Sequence, residues 1–189
     1  MIILIGGVSH TGKTYLAQKL LEAHKIPYLS LDHLKMGLLR GGVPCGFSSE
    51  DQDHKIAIAM WPVVEGIIRT NIENKQHLTI EGCYLPPSAV RTLKEEFSSE
   101  IIECFLTFTE NYIRNNFQSE ILKNRDVIEK RKYPENRTLE EFLLEHQSIR
   151  SLCKKEKLNH VDIDENFESS IQECLKFLNK EIIIRSQKI

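Results

Sequence analysis

The chain has 189 residues, of which 41% are hydrophobic and 28% are charged, and its formal net charge is −2. That length and composition suit one compact domain with a sizeable core. The near-neutral charge gives no support for binding nucleic acid or a membrane surface through bulk electrostatics, and no apolar run approaches the roughly 20 residues that span a bilayer.

Cysteine usage indicates a reducing compartment. The five cysteines are an odd number, scattered and without a C-x-x-C pair, which argues against structural zinc and against a disulfide framework. Cys104 falls in a predicted strand and Cys174 on a predicted helix, where we expect small buried side chains. Because a predicted strand begins at the first residues of the sequence, we expect no cleavable signal peptide and a cytoplasmic protein.

The first predicted elements are a strand and a helix joined by a glycine-rich loop. Residues 2–5 are all apolar, and the spacing of apolar residues after Thr14 is helical. Between them GVSHTGKT, residues 7–14, matches the phosphate-loop pattern G-x-x-x-x-G-K-[ST]. In such a loop the backbone N–H groups and the helix N-terminus surround anionic oxygens. The sequence therefore predicts a nucleoside triphosphate held by Gly7, Val8, Ser9, His10, Thr11, Gly12, Lys13 and Thr14, with Lys13 on the β- and γ-phosphates and the Thr14 hydroxyl on magnesium.

Four further strand-length runs alternate with helical segments: IPYLSLD, HLTIEG, EIIECFLTF and NHVDID. This alternation predicts a parallel sheet covered on both faces, with right-handed crossovers. Ligands bind such sheets at the carboxyl ends of the strands. The acids that end three of the runs, Asp32, Glu81 and Asp164, are therefore candidates for the site.

Asp32 and Glu81 each allow a functional and a structural interpretation. Asp32 is predicted to orient or deprotonate an acceptor hydroxyl, or to hold a water on magnesium; the alternative is an N-cap for a helix beginning at His33. Glu81 is predicted to hold magnesium through water; the alternative is a structural carboxylate at the strand end. Lys35 and Arg40 follow Asp32 on a predicted helix and either bind an acidic acceptor or are surface charges.

Two long connections are predicted to cover the site. Residues 33–76 are expected to bind the acceptor, with a helical stretch broken at Trp61-Pro62. Residues 110–158 contain the basic run KNRDVIEKRKYPENR. That run is either a solvated helix face with i,i+4 pairs or a lid that brings arginines to the phosphates. We predict a lid in which Arg131 and Arg137 act on the transferred group and Arg125 binds phosphate.

Taken together, GGVSHTGKT, LSLDHL, LTIEG and the basic insertion resemble the small P-loop kinases of the adenylate-kinase-like group. The resemblance implies a three-layer α/β fold with a five-stranded parallel sheet of order 2-3-1-4-5, a substrate-binding insertion after the second strand and a helical lid after the fourth. It implies ATP and Mg²⁺ as cofactors and a small-molecule acceptor as partner. Glu81-Gly82 then stands where that group has Asp-Gly.

The departures from that group narrow the prediction. Adenylate kinases follow Asp-Gly with Phe-Pro-Arg, whereas this chain continues CYLPP and has no arginine before Arg91. An acid at Asp32 is closer to kinases of hydroxyl acceptors, such as gluconate and shikimate kinases, and LDHLKMGL is similar to 2-phosphoglycerate-kinase-like proteins. We therefore predict an ATP-dependent phosphotransferase acting on a small-molecule hydroxyl. The alternatives are a nucleoside monophosphate kinase, a toxin-type nucleotide-sugar kinase and an ATP-binding switch; Asn74-Lys75-Gln76-His77 lacks the acid of a GTPase N-K-x-D motif.

Overall fold

A computed structural model describes residues 1–125, 127–128 and 136–187. Its five strands form one sheet in which every neighbouring pair is parallel, and their order is β2-β3-β1-β4-β5. The predicted strand order is thus confirmed. The strands are β1 Ile2–Gly7, β2 Tyr28–Ser30, β3 Leu78–Glu81, β4 Ile101–Phe108 and β5 His160–Ile163.

Helices cover both faces of this sheet, as the alternation of strands and helices predicted. On β1 alternate side chains enter opposite layers: Ile3 and Ile5 pack with one buried cluster, and Ile2 and Leu4 pack with the other. The described helices are α1 Lys13–His24, α2 Leu31–Arg40, α3 Asp53–Glu73, α4 Pro87–Glu96, α5 Glu110–Asn116, α6 Leu139–Lys155 and α7 Phe167–Ser186, and a π-helical segment, Phe117–Leu122, continues α5. Helices α1 and α7 cover the first face, and α3 and α4 cover the second.

Helix α3 corrects one prediction from the sequence. The break expected at Trp61-Pro62 was wrong, because α3 runs through Pro62 without interruption. Ile56, Met60, Val64 and Ile68, which are four residues apart, are buried against the sheet on both sides of the proline. Packing of that face outweighs the unfavourable helix propensity of proline.

The chain after β2 also differs from prediction. The strand stops at Ser30 and α2 begins at Leu31, so Asp32 lies in the first helical turn rather than at the strand end. Ser30, not Asp32, occupies the N-cap position, which removes the capping interpretation of Asp32.

The predicted burial of Cys104 and Cys174 is confirmed: they are fully buried free thiols whose sulfur atoms lie 2.9 Å apart between β4 and α7. Among the described residues, no helix has the length and apolar character needed to cross a membrane.

Candidate active site

A cleft of about 340 Å³ opens at the carboxyl ends of the strands. The phosphate loop and the first turn of α1 form its floor. Asp32, Glu81 and Cys83 line one side, and residues following β4 and β5 line the other. The described residues that line the cleft are His10, Gly12, Lys13, Thr14, Tyr15, Asp32, Glu81, Cys83, Phe108, Tyr112, Glu120, Ile121, Asn124, Arg125, Val127, Ile128, Phe167 and Glu168.

The phosphate loop has the geometry of an anion cradle. Strand β1 ends at Gly7, whose φ of 127° and approach to the Leu106 carbonyl leave no space for a side chain; a Cβ there would lie 2.1 Å from that oxygen. Gly12 precedes α1 and supplies no capping side chain, so the first N–H groups of the helix have no side-chain acceptor from that position. These donors and the positive end of the helix dipole fit phosphate oxygens.

Lys13 lies inside this loop. The residue is 7% exposed, and its Nζ donates a hydrogen bond of 2.7 Å to the Val8 carbonyl. The Thr11 hydroxyl donates to the same carbonyl at 2.8 Å. A neutral carbonyl satisfies an ammonium less well than a polyphosphate does, so the position of Lys13 fits a triphosphate bound in the cradle.

Thr14 and Glu81 meet beside the loop. The Thr14 hydroxyl, in the first turn of α1, donates to Glu81 Oε1 at 3.2 Å. Glu81 ends β3 and is 2% exposed; burial raises the pKa of its carboxyl, while the nearby Lys13 ammonium acts in the opposite direction. A hydroxyl and a carboxylate next to a phosphate cradle are oxygen ligands of the kind that Mg²⁺ takes together with substrate phosphates and water.

Asp32 reaches the same cleft from α2. Its side chain is 39% exposed, and its Oδ1 accepts a hydrogen bond of 3.3 Å from the Tyr84 hydroxyl and lies 3.5 Å from Lys35 Nζ. Lys35 Nζ also donates to the Tyr84 hydroxyl and lies 4.7 Å from the centre of its ring. Asp32 therefore faces the same cleft as Lys13 while two neighbours hold one of its oxygens.

Sequence reasoning missed Tyr84. Its position depends on Gly82, where a Cβ would lie 2.7 Å from the Leu31 Cβ, so glycine allows the start of α2 to pack on the end of β3. Tyr84 then lies under α2, 4% exposed, with its hydroxyl at Asp32. The available signal was its place three residues after Glu81, in the stretch CYLPP, whose lack of an arginine argues against a nucleotide acceptor.

Asp53, the first residue of α3, was also missed. Partial desolvation raises the pKa of this carboxyl, although the residue is exposed, and the Asp32 carboxylate acts in the same direction. The cations Arg137, Lys35 and Lys13 act in the opposite direction. Asp53 therefore belongs to the charged surroundings of Asp32. Of these residues Asp32 lines the cleft and Lys35, Asp53 and Tyr84 surround it; we refer to the four together as the acceptor side of the cleft.

The arginines that the sequence predicted to bind substrate or phosphate do not lie together in the structure. Arg125 lines the cleft. Arg137 precedes α6, donates to Glu145 Oε2 at 2.5 Å and lies 5.2 Å from the centre of the Phe142 ring. Arg131 lies outside the described residues. Arg40 is exposed at the end of α2, about 12 Å along the helix axis from Asp32.

An aromatic cluster connects the phosphate loop to α6. The His10 backbone has a left-handed φ of 68°, and the His10 ring stacks on Phe142 with ring centres 6.2 Å apart. The ring centres of Phe142 and His146 are 4.5 Å apart. The Phe108 N–H donates to His146 Nδ1 at 2.9 Å, which assigns the imidazole proton to Nε2. His146 is 1% exposed, and burial lowers its pKa well below the ordinary value, with Lys13 and Arg150 acting in the same direction.

The sequence matches no protein-family model and no curated protein, whereas solved structures match it over nearly its whole length. A gluconokinase from Sinorhizobium meliloti 1021 is 17% identical, with 97% of this chain and 96% of that chain covered and a TM-score of 0.56. A shikimate kinase from Acinetobacter baumannii in complex with shikimate is 18% identical, with 95% and 93% covered and a TM-score of 0.55. A shikimate kinase from Bacteroides thetaiotaomicron is 16% identical, with 95% and 98% covered and a TM-score of 0.55. The chain therefore has the three-layer fold of small-molecule P-loop kinases, which confirms the predicted fold class.

Proposed function

We propose that the protein is an ATP-dependent phosphotransferase that moves the γ-phosphoryl group of ATP to a hydroxyl of a small molecule, with Mg²⁺ as cofactor. The observation that carries this proposal is the convergence of Lys13, Thr14, Glu81 and Asp32 on one cleft. Phosphoryl transfer needs a phosphate clamp, a metal-binding edge and a group that positions the acceptor. These four residues, from three elements, supply all three.

On the phosphate side, α1 and its preceding loop bind the triphosphate through backbone N–H groups. Lys13 exchanges the Val8 carbonyl for phosphate oxygens, where its charge offsets the negative charge that develops during transfer. Thr14 and Glu81 would hold Mg²⁺, Glu81 through water, and the metal would neutralise phosphate charge. Arg125 contributes positive charge at the opposite wall of the cleft.

On the acceptor side, Asp32 accepts the proton of the attacking hydroxyl and orients its oxygen toward the γ-phosphorus. A hydroxyl must lose a proton to become a phosphate ester, whereas an acceptor phosphate needs no base. The named neighbours of this fold, a gluconokinase and shikimate kinases, support a hydroxyl acceptor. Arg91, the first arginine after β3, pairs with Glu95 at 2.6 Å on α4 and is not among the described residues that line the cleft, which argues against a nucleotide acceptor. The free thiols support a cytoplasmic location.

A coupled ATP-consumption assay with Mg²⁺ tests the proposal. The acceptor panel contains polyols, sugars, sugar acids, 2-phosphoglycerate, aminoglycosides, nucleosides, nucleoside monophosphates and UDP-N-acetylglucosamine. Lys13→Ala is the inactive variant, and Lys19→Ala on the exposed face of the same helix is its matched control. We expect acceptor-dependent turnover that Lys13→Ala loses and Lys19→Ala keeps. ATP binding that no acceptor converts into turnover would contradict the proposal and favour a switch protein.

A further inference from the structure

We propose that Tyr84 and Lys35 are positioning residues that together hold Oδ1 of Asp32, so that Oδ2 receives the hydroxyl of an acceptor that is uncharged at this point. This inference rests on the proposed function of Asp32. It assigns a role to a residue, Tyr84, that the phosphate-loop pattern does not indicate, and it gives Lys35 a role different from anchoring an acidic acceptor.

The contacts form a closed triangle. Lys35 Nζ donates to the Tyr84 hydroxyl, the Tyr84 hydroxyl donates to Asp32 Oδ1 at 3.3 Å, and Lys35 Nζ lies 3.5 Å from the same oxygen. Both partners that the structure describes for Asp32 therefore contact Oδ1. Oδ2 is left to accept the acceptor hydroxyl. Hydrogen bonds of unliganded sites are often long and tighten when substrate binds.

The two positioning residues, Tyr84 and Lys35, are more buried than Asp32, whose carboxylate they contact. Tyr84 is 4% exposed and the Lys35 side chain is 14% exposed, whereas the Asp32 side chain is 39% exposed and lines the cleft. Burial, together with the nearby Asp53 and Asp32 carboxylates, raises the pKa of Tyr84 above its ordinary value. The hydroxyl therefore keeps its proton at physiological pH and remains a hydrogen-bond donor to the carboxylate.

The local fold fixes this triangle. Lys35 follows Asp32 by three positions on α2, which places the two side chains on one face of the helix. Gly82 lets the start of α2 contact the end of β3 and so brings Tyr84 under that face. Two independent segments thus converge on one carboxylate oxygen.

The arrangement bears on the class of acceptor. The Lys35 ammonium already faces a carboxylate and a phenol oxygen, and Asp53 adds a second acidic group to the same surroundings. Binding an anionic acceptor group to Lys35 would require breaking the triangle that holds Asp32. A neutral hydroxyl, as in a sugar or polyol, needs no such change.

Tyr84→Phe tests the positioning role because it removes the hydroxyl and keeps the buried ring. Tyr28→Phe is the matched control, since Tyr28 is a half-buried tyrosine whose ring packs in the other layer of the core. In crystal structures without substrate we expect the Asp32 carboxylate to rotate away from its wild-type position in Tyr84→Phe and to stay in place in Tyr28→Phe. An unmoved Asp32 in Tyr84→Phe overturns the inference, whether or not an acceptor is known.

Kinetics with an acceptor from the panel provide the second readout. Loss of a hydrogen bond to a charged group predicts that Tyr84→Phe lowers kcat about 10-fold or more. KM values for ATP and acceptor should stay within about 2-fold, since the substrate-binding contacts are kept. An unchanged kcat would overturn the positioning role.

Lys35→Met separates positioning from acceptor binding, with exposed Lys55→Met as control. A positioning residue predicts a fall in kcat with little change in the acceptor KM, whereas an acceptor anchor predicts a raised KM with kcat retained. The second result would overturn the role given to Lys35. Failure of wild-type protein to phosphorylate any acceptor would refute the proposed function alone, because the crystallographic test does not depend on turnover.

Discussion

The phosphate side of the cleft is built mainly from one contiguous stretch of chain, whereas the acceptor side is assembled from three separate segments. Residues 7–14 place their own backbone donors and Lys13 around the phosphate cradle, and Glu81 from β3 and Arg125 from the chain after β4 add to it. On the acceptor side, Asp32 and Lys35 come from α2, Asp53 from α3 and Tyr84 from the chain after β3. Contiguous sites are recognisable from a short pattern, while assembled sites depend on packing.

This contrast has a functional consequence. The cradle is largely backbone, so it suits the triphosphate of the donor nucleotide, which is common to the reactions of such an enzyme class. The acceptor side is made of side chains on helices α2 and α3, which can vary without disturbing the loop. We infer that specificity for the acceptor is determined by these helices and by Tyr84.

The largest effect on turnover is expected for Asp32→Asn, which changes the acceptor side and leaves the phosphate side intact. The amide cannot accept the hydroxyl proton as a carboxylate does, so we predict a fall in kcat of about 100-fold or more with ATP binding unchanged. Lys13→Ala should instead weaken ATP binding as well as turnover. Calorimetric titration with ATP and steady-state kinetics check both variants. Asp32→Asn with wild-type kcat would remove Asp32 from the mechanism.

Glu81→Gln tests the link between the two sides and has opposite effects on activity and stability. Loss of the carboxylate should raise the Mg²⁺ concentration needed for half-maximal activity about 10-fold or more. Burial raises the pKa of Glu81 in the folded protein above its value in the unfolded chain, so the ionised carboxylate destabilises the fold. The stability that comes from the neutral form is therefore lost as the pH rises through the raised pKa.

Glu81→Gln should therefore have a higher Tm than wild type at pH 8 in the absence of nucleotide, and the gap should shrink as the solution becomes acidic. Thermal unfolding at several pH values measures this, with exposed Glu50→Gln as control. A lower Tm for Glu81→Gln at pH 8 would show that the charge on Glu81 stabilises the fold.

The smallest expected effect concerns the aromatic cluster behind the phosphate loop. Burial holds His146 neutral and lowers its pKa well below the ordinary 6.5, so below that pH the unfolded chain binds a proton that the folded chain does not. Stability should therefore fall with acidification below about pH 6.5, by at most about 1.4 kcal/mol per pH unit from this residue.

Urea unfolding between pH 5 and 7 measures that slope. His146→Leu should reduce the slope even if it lowers stability at pH 7, and exposed His54→Leu should leave it unchanged. Equal slopes in wild type and His146→Leu would assign the pH dependence to other groups.

The resemblance to small P-loop kinases predicted the sheet order correctly, and the sequence pattern predicted the order of strand, loop and helix at residues 2–24. The run of apolar residues before GVSHTGKT and the helical spacing after it leave one arrangement for that segment. Glu81 was located because a buried parallel strand ends at a ligand-binding edge. The position of Asp32 in the cleft followed from the same rule, although it lies in α2 rather than at the end of β2.

The remaining differences arise from tertiary contacts. The continuity of α3 through Pro62 depends on Ile56, Met60, Val64 and Ile68 meeting the sheet. The role inferred for Tyr84 depends on the contact between Gly82 and Leu31, which are 51 positions apart. The predictions for Arg125, Arg131 and Arg137 as phosphate-binding or catalytic residues, and for Arg40 as an acceptor-binding residue, remain predictions.

The most direct test of the account is ³¹P NMR of a reaction containing the protein, ATP, Mg²⁺ and an acceptor selected from the panel. We predict a new phosphomonoester resonance that grows in step with ADP and is lost in Asp32→Asn. Release of inorganic phosphate with ADP and no ester would contradict transfer to a hydroxyl. A new diphosphate resonance from a nucleoside monophosphate would identify a phosphate acceptor instead, and would refute the role given to Asp32.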